Sequence, residues 1–142
     1  MKYIFVLLLL MISTSSCRKS ESMPDAGVVK EYVGKWNWYY SVGGFSAEIS
    51  KPGKDTAISL WLGQDSTYTT YLNGVKVSGG HFNTELIPYW DSALLVHFDH
   101  YLNVGNLRVG ENEGVELFSK DTLRLYDAFI SDGFAHIFVR GK

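Results

Sequence analysis

Short runs of β-branched and aromatic residues, separated by glycine, asparagine and aspartate, extend from Gly34 almost to the end of the chain. This pattern is typical of strands joined by tight turns. Apolar and polar residues alternate within the runs, as in Leu123 and Leu125 on either side of Arg124, so each strand has one apolar face. A helical period occurs only over Val28–Val33 and predicts at most a short helical turn before the first strand. The chain therefore predicts an all-β domain.

The predicted strands are Lys35–Ser41, Thr56–Leu62, Thr67–Leu72, Val75–Phe82, Ala93–Leu102, Leu107–Val109, Val115–Ser119, Thr122–Asp127 and Phe134–Arg140. Asn73-Gly74 and Asp132-Gly133 supply residues that readily take the positive φ angles of a tight hairpin, so each predicts antiparallel pairing of its flanking strands. A meander of this many strands has two open edges, which closure into a barrel removes. We therefore expect an antiparallel up-and-down β-barrel of about eight strands. Both alternating sets of the last strand contain apolar residues, so the sequence leaves open which set faces inward.

The first 16 residues have the layout of an export signal. Lys2 precedes an unbroken apolar run from Tyr3 to Ile12, and small polar residues follow it. The run is too short to span a bilayer as a helix, because the hydrocarbon core needs about 20 apolar residues. We therefore expect residues 1–16 to be a signal peptide that is no part of the fold.

Cys17 follows these small residues directly and is the single cysteine of the chain, which excludes an internal disulfide and a thiolate zinc cluster. The segment resembles the lipobox of bacterial lipoproteins, and its Ser-Ser-Cys ending resembles those of the Bacteroidetes group. The resemblance implies that Cys17 carries lipid and anchors the protein to the outer membrane, on either face. It also implies a lipidated cysteine with a flexible tether over residues 17–27 and a barrel domain over residues 28–142. An ordinary signal with an incidental cysteine is the alternative.

Gly34-Lys35-Trp36 resembles the Gly-x-Trp motif that opens the first strand of lipocalins. Three later segments resemble, in order, strand motifs of the short lipocalin-like domains of Bacteroidetes lipoproteins: Asp65-Ser66-Thr67-Tyr68, Asp121-Thr122-Leu123-Arg124-Leu125 and His136-Ile137-Phe138-Val139-Arg140. The resemblance implies a lipocalin-like barrel. It also implies that Trp36 plugs the closed end and that Arg140 packs across it, as a barrel-closing structural pair.

Aromatic residues make up 15% of the chain, more than a small core requires. Tyrosine and tryptophan suit sites that combine apolar contact with one hydrogen bond. Five are therefore candidates for contacting a ligand at the barrel mouth: Trp38, Tyr40, Trp61, Tyr68 and Tyr71. A barrel of about eight strands holds one small ligand or is filled by its own side chains. Because the rings are large, we favour a mostly filled interior with a shallow mouth.

Other functions find less support in the sequence. The net charge is −2 and the basic residues are scattered, which argues against nucleic-acid binding. Four histidines raise the question of a metal: His81, His97, His100 and His136. His97 and His100 point to opposite faces of a strand, so we predict no metal site and no cofactor. No nucleophile motif appears, and we expect Glu111, Glu113 and Glu116 to be solvated beside a turn, so we predict a protein that is not an enzyme.

Two functions remain open. The first is a membrane-anchored lipocalin-like lipoprotein that binds a small apolar or aromatic molecule at the barrel mouth. The second is a filled barrel that acts in the cell envelope as a structural or protein-interaction module, presenting loops such as Val42–Asp55 and Asn83–Ser92. In either case we expect a monomer that contacts the membrane through the lipid on Cys17.

Overall fold

The computed structural model of the protein describes residues 30–87 and 93–142. The predicted signal peptide, Cys17 and most of the tether lie outside these ranges. Residues 30–32 form one helical turn, and all other regular structure is extended. The strands are β1 (Gly34–Gly43), β2 (Glu48–Ser50), β3 (Ile58–Leu62), β4 (Thr67–Leu72), β5 (Val75–Ile87), β6 (Ala93–Phe98), β7 (Leu102–Val104), β8 (Leu107–Val109), β9 (Asn112–Ser119), β10 (Thr122–Asp127) and β11 (Ala135–Arg140).

Eight of these strands form a closed, antiparallel, up-and-down barrel. Their order is β11-β10-β9-β6-β5-β4-β3-β1, and β11 pairs back on β1 to complete the circle. In that closing pair Trp36 lies opposite Arg140, and Trp38 lies opposite Phe138. Strand β2 extends the sheet beside β1 as a short hairpin. The predicted fold class, an all-β barrel of about eight strands, is confirmed.

The two predicted tight turns have different outcomes. Asn73 and Gly74 have φ angles of 50° and 80°, which joins β4 to β5 as the sequence predicts. At Asp132-Gly133 the predicted antiparallel pairing of the flanking strands is confirmed, but the predicted tight turn is wrong, because neither residue has a positive φ. The connection from β10 to β11 is instead a longer loop, residues 128–134. It is closed by Asp127, whose backbone N–H donates to the carbonyl of Phe134 at 3.0 Å.

The barrel interior is filled by one apolar cluster. The last strand contributes its His136, Phe138 and Arg140 face, which settles the orientation that the sequence left open. The rings of Tyr68 and Phe98 meet edge to face across the interior, with centroids 5.1 Å apart. Close packing of this kind leaves little room for a guest molecule. The interior is lined by Trp36, Trp38, Ile58, Leu60, Leu62, Tyr68, Phe82, Leu94, Val96, Phe98, Val115, Leu123, Leu125 and Phe138.

The hairpin of β7 and β8 covers the end of the barrel opposite Trp36. Four of its side chains join the core and are at most 3% exposed: Leu102, Val104, Leu107 and Val109. Gly105, at its tip, approaches the side chains of Ile58 and Leu72. Next to it, Nδ2 of Asn106 donates to Oγ of Ser50 at 3.1 Å and to the carbonyl of Lys51 at 2.8 Å. The chain therefore closes this end with its own residues.

The sequence did not predict this hairpin, because it extended the strand from Ala93 through to Leu102. The chain leaves the sheet after Phe98. The carboxylate of Asp99 bends back and accepts the backbone N–H of His81 at 2.9 Å. The backbone N–H of Asp99 also donates to the carbonyl of His81 at 3.1 Å, so the carboxylate takes the place of the return bond of this last rung, and β7 then leaves the sheet to cover the barrel end.

Candidate functional site

Arg140 packs over Trp36 and closes the end of the barrel opposite the β7–β8 hairpin. Its guanidinium carbon lies 4.1 Å from the centroid of the Trp36 ring, a cation–π contact worth about 0.5 to 2 kcal/mol. Its guanidinium also donates to three backbone carbonyls, which belong to Lys120, Val33 and Glu31. Nε1 of Trp36 donates to the carbonyl of Tyr32 at 2.6 Å. This arrangement ties the helical turn before β1 to both strands at one end of the closing β1–β11 pair.

The five aromatic residues proposed to contact a ligand do not line a single cavity. Trp38 and Tyr68 point inward and are at most 4% exposed. Tyr40, Trp61 and Tyr71 alternate with inward residues and lie on the outer wall of β1, β3 and β4. The β7–β8 hairpin occupies the place where a barrel mouth was expected. These five residues therefore do not form a ligand site at the barrel mouth.

Ser41 and His136 form a buried polar pair beside the Nε1 edge of the Trp38 ring. Oγ of Ser41 accepts from Nε1 of Trp38 at 3.0 Å and lies 2.7 Å from Nδ1 of His136. Ser41 and His136 are each 3% exposed. Burial lowers the pKa of the His136 imidazole to about 4, because the charged form loses its hydration. The ring is therefore neutral at pH 7, and its place inside the core makes it a structural residue.

Glu113 is fully buried, which corrects the expectation that it would be solvated beside a turn. Strand β9 begins at Asn112, so Glu113 faces inward beside Val96. Its Oε1 accepts the backbone N–H of Gly110 at 2.6 Å, and its Oε2 has no partner within the described residues. Burial, together with the Asp127 carboxylate, raises the pKa of Glu113 to about 8.

The remaining histidines lie on the surface in separate places. His97 bridges Asn112 and Glu85 on the outer wall, with contacts of 2.6 and 3.2 Å. His81 and His100 flank the carboxylate of Asp99. Over residues 30–87 and 93–142, no cluster of three or more His, Cys, Asp or Glu side chains is suited to hold a metal ion.

A groove of about 320 Å³ lies on the outer wall of the barrel. An apolar row crosses four strands in register here, Leu95, Gly114, Tyr126 and Ala135, and all of these except Gly114 form the floor of the groove. Leu95 is 3% exposed although it points away from the barrel axis, so the groove is a second apolar environment outside the core. The wall on one side is the 128–134 loop, and the described lining also includes Ile87, Ala93, Arg124 and Asp127.

Gly114 allows the groove to form. The Tyr126 ring lies so close to it that any β-carbon at position 114 would collide with the ring. The ring is therefore held flat against the wall instead of standing upright in the groove. Arg124 also packs on this ring, with its guanidinium carbon 4.5 Å from the ring centroid.

Apolar side chains surround the groove at the barrel rim. Phe129 and Ile130 in the 128–134 loop are 66% and 57% exposed. The ring of Phe134 approaches Gly44, and Phe45 beside it is 99% exposed. Apolar residues concentrated around one concavity are typical of a ligand site or a protein contact.

Sequence reasoning missed this groove because none of its lining residues forms a local motif. The lining comes from four strands, β5, β6, β10 and β11, and one loop, and it depends on the register of those strands. Gly114 lies just before the predicted strand Val115–Ser119, in a segment interpreted as a turn, so the close approach that a glycine within a strand marks became visible only in the structure.

Within the described part of the chain, no helix has the length and apolar character needed to cross a membrane. Comparisons of the whole chain with protein-family models, with curated proteins and with solved structures found no match. The antiparallel eight-stranded barrel is consistent with a lipocalin-like fold. The groove on its outer wall is the structural feature that bears on function.

Proposed function

We propose that this protein is a non-catalytic binding protein of the cell envelope that holds a small apolar or aromatic molecule in the outer groove. The observation that carries the proposal is the 320 Å³ concavity with an apolar floor of Leu95, Tyr126 and Ala135. A volume of this size is at the lower end of the range for small-molecule sites. The filled interior and the covering hairpin favour this groove over the barrel mouth as the site.

The proposal includes attachment to the outer membrane through lipid on Cys17. Its support is the Ser-Ser-Cys sequence behind an apolar run of signal-peptide length. Two or three acyl chains, at about 0.8 kcal/mol per buried methylene, hold a small domain on a membrane where one chain does not. Replacement of Cys17 by Ala should release the protein from membranes. A mutant that still sediments with the envelope, together with a wild type that carries no acyl group, contradicts the anchor.

Binding in the groove is tested with 2-naphthalenemethanol, a neutral bicyclic probe, titrated into the full chain by calorimetry. Ala128→Trp should weaken binding at least tenfold, because Ala128 lines the groove and an indole there fills it. Thr69→Trp is the matched control, since Thr69 lies on the outer wall of β4 away from the groove. Equal affinities for the two variants, or no binding to the wild type, contradict the proposal.

The second candidate function is a protein-interaction module. The observation that favours it is the exposed apolar rim formed by Phe45, Phe129 and Ile130. Two loops were proposed for this role. The first, Val42–Asp55, contains the β1–β2 hairpin and carries Phe45. In the second, Asn83–Ser92, the residues up to Ile87 belong to β5, and residues 88–92 lie outside the described ranges. Cross-linking in intact cells that recovers only the monomer contradicts this function.

A further inference from the structure

Among the described residues that line the groove, Arg124 is the single basic one. Its guanidinium is about one-third exposed and rests on the Tyr126 ring. Within the described residues its hydrogen bonding is limited to one long contact, from Nη1 to Oε2 of Glu116 at 3.3 Å. Since a guanidinium carries five N–H donors in a planar fork, most of its capacity is available to a guest.

We propose that the groove selects molecules that combine a flat apolar body with one anionic oxygen group, a carboxylate being the simplest, which Arg124 binds. This proposal rests on the function proposed above and names the class of ligand. Arginine suits the role because its fork matches the two oxygens of a carboxylate. The partly apolar surroundings strengthen such a contact relative to one in open water.

The two opposite charges on β10, at Arg124 and Asp127, favour one direction for a bound anionic ligand. Arg124 and Asp127 are at the two ends of the part of β10 that lines the groove, about 10 Å apart at the rise of an extended strand. Oδ2 of Asp127 accepts the backbone N–H of Phe134 at 2.7 Å, so this carboxylate is committed to the loop. An anionic group is repelled at the Asp127 end and attracted at the Arg124 end, and the apolar body then extends over Tyr126 towards the 128–134 loop.

Glu116 competes for the same cation. Its carboxylate is nearly half exposed, so it can turn into solvent when a ligand carboxylate approaches. The intramolecular contact and the ligand contact are therefore alternatives at one guanidinium. Removal of the Glu116 charge should strengthen ligand binding, an effect that a purely structural Arg124 would not produce.

The test compares three probes with the same bicyclic body: 2-naphthoate, 2-naphthalenemethanol and 2-naphthylmethylammonium. The wild-type full chain should bind 2-naphthoate about tenfold more tightly than the neutral alcohol, which corresponds to one added charge-assisted hydrogen-bond pair. The ammonium compound should bind most weakly. Arg124→Met should abolish the preference for naphthoate while affinity for the alcohol stays within about threefold, because the apolar stem is kept.

Two further variants separate charge from position. Lys76→Met removes the same charge from β5, outside the groove, and should keep the tenfold preference. Glu116→Gln should tighten naphthoate binding about threefold and leave the alcohol unchanged. If the wild type binds naphthoate and the alcohol equally and Ala128→Trp weakens both, the groove binds ligands but the anionic selectivity is wrong. If the wild type binds none of the three probes, the binding function is overturned as well.

Discussion

The guanidinium carbon of Arg140 lies 4.1 Å from the centroid of the Trp36 ring, at the point where the last strand meets the first. Three donor groups of the same side chain reach backbone carbonyls on two further segments, the helical turn region and the β9–β10 turn. One side chain thus connects β11 to β1, to the helical turn and to the β9–β10 turn at this end of the barrel.

Arg140→Lys should therefore destabilise the protein by about 2 to 3 kcal/mol, although it keeps the charge. Lysine is a point charge without the planar fork, so it cannot make three divergent carbonyl contacts and stack on Trp36 together. Urea unfolding followed by tryptophan fluorescence measures the change. Lys76→Arg, at an exposed position of β5, is the control and should shift the free energy of unfolding by less than about 0.5 kcal/mol. Equal losses in both variants would sink the idea.

Glu113→Gln should stabilise the protein at alkaline pH. The pKa of this carboxyl is about 8 in the folded state against a usual value of 4.5, so the folded protein keeps a proton that the unfolded chain has released between these values. Stability from this group is therefore full below pH 4.5, falls as pH rises, and is lost above pH 8. The variant should gain about 2 to 4 kcal/mol above pH 8 and little below pH 4.5. Glu48→Gln, on exposed β2, should show no such pH dependence.

His136→Asn should remove part of the acid sensitivity of the fold. The imidazole pKa is about 4 when folded against a usual 6.5, so the unfolded chain takes up a proton first as pH falls. Stability from this group is full above pH 6.5 and declines towards pH 4. Denaturant titrations at pH 7 and pH 4.5 should show a smaller difference in the variant than in the wild type. A wild-type-like difference in His136→Asn would contradict the assignment.

Leu107→Ala should cost about 2 to 4 kcal/mol, the range for truncation of a fully buried leucine. Leu107 is 1% exposed and belongs to the β7–β8 hairpin, which covers the end of the barrel opposite Trp36. Thermal unfolding measures the loss, and Tyr101→Ala, 62% exposed just before the hairpin, is the control. A small effect in Leu107→Ala would show that the hairpin rests on the barrel without contributing to its core.

Local patterns in the sequence predict the barrel well, since alternation and the Asn73-Gly74 turn depend on neighbouring residues alone. The groove depends on register across β6, β9, β10 and β11, and the sequence does not specify that register. Glu113 illustrates the difference: β9 begins at Asn112, three residues earlier than predicted, so a carboxyl expected in solvent is buried.

The covering hairpin was missed for a related reason. Leu102 continues an apolar run, so periodicity alone extends the strand through it. The break at Asp99 arises from its contact with the backbone of His81, 18 positions away. A contact between residues this far apart in sequence leaves no local pattern from which it could be predicted.

The closure of the barrel has a consequence for how the chain folds. Arg140 donates to the carbonyl of Val33 across 107 positions of sequence, and the β1–β11 ladder has the same long separation. Every other barrel pairing joins strands closer along the chain, so this one carries the largest loop-closure cost and should form late. Until the C-terminal strand arrives, β1 has an unpaired edge beside the Trp36 ring. Folding therefore cannot finish before nearly the whole chain is present, and an incomplete chain exposes an edge prone to aggregation.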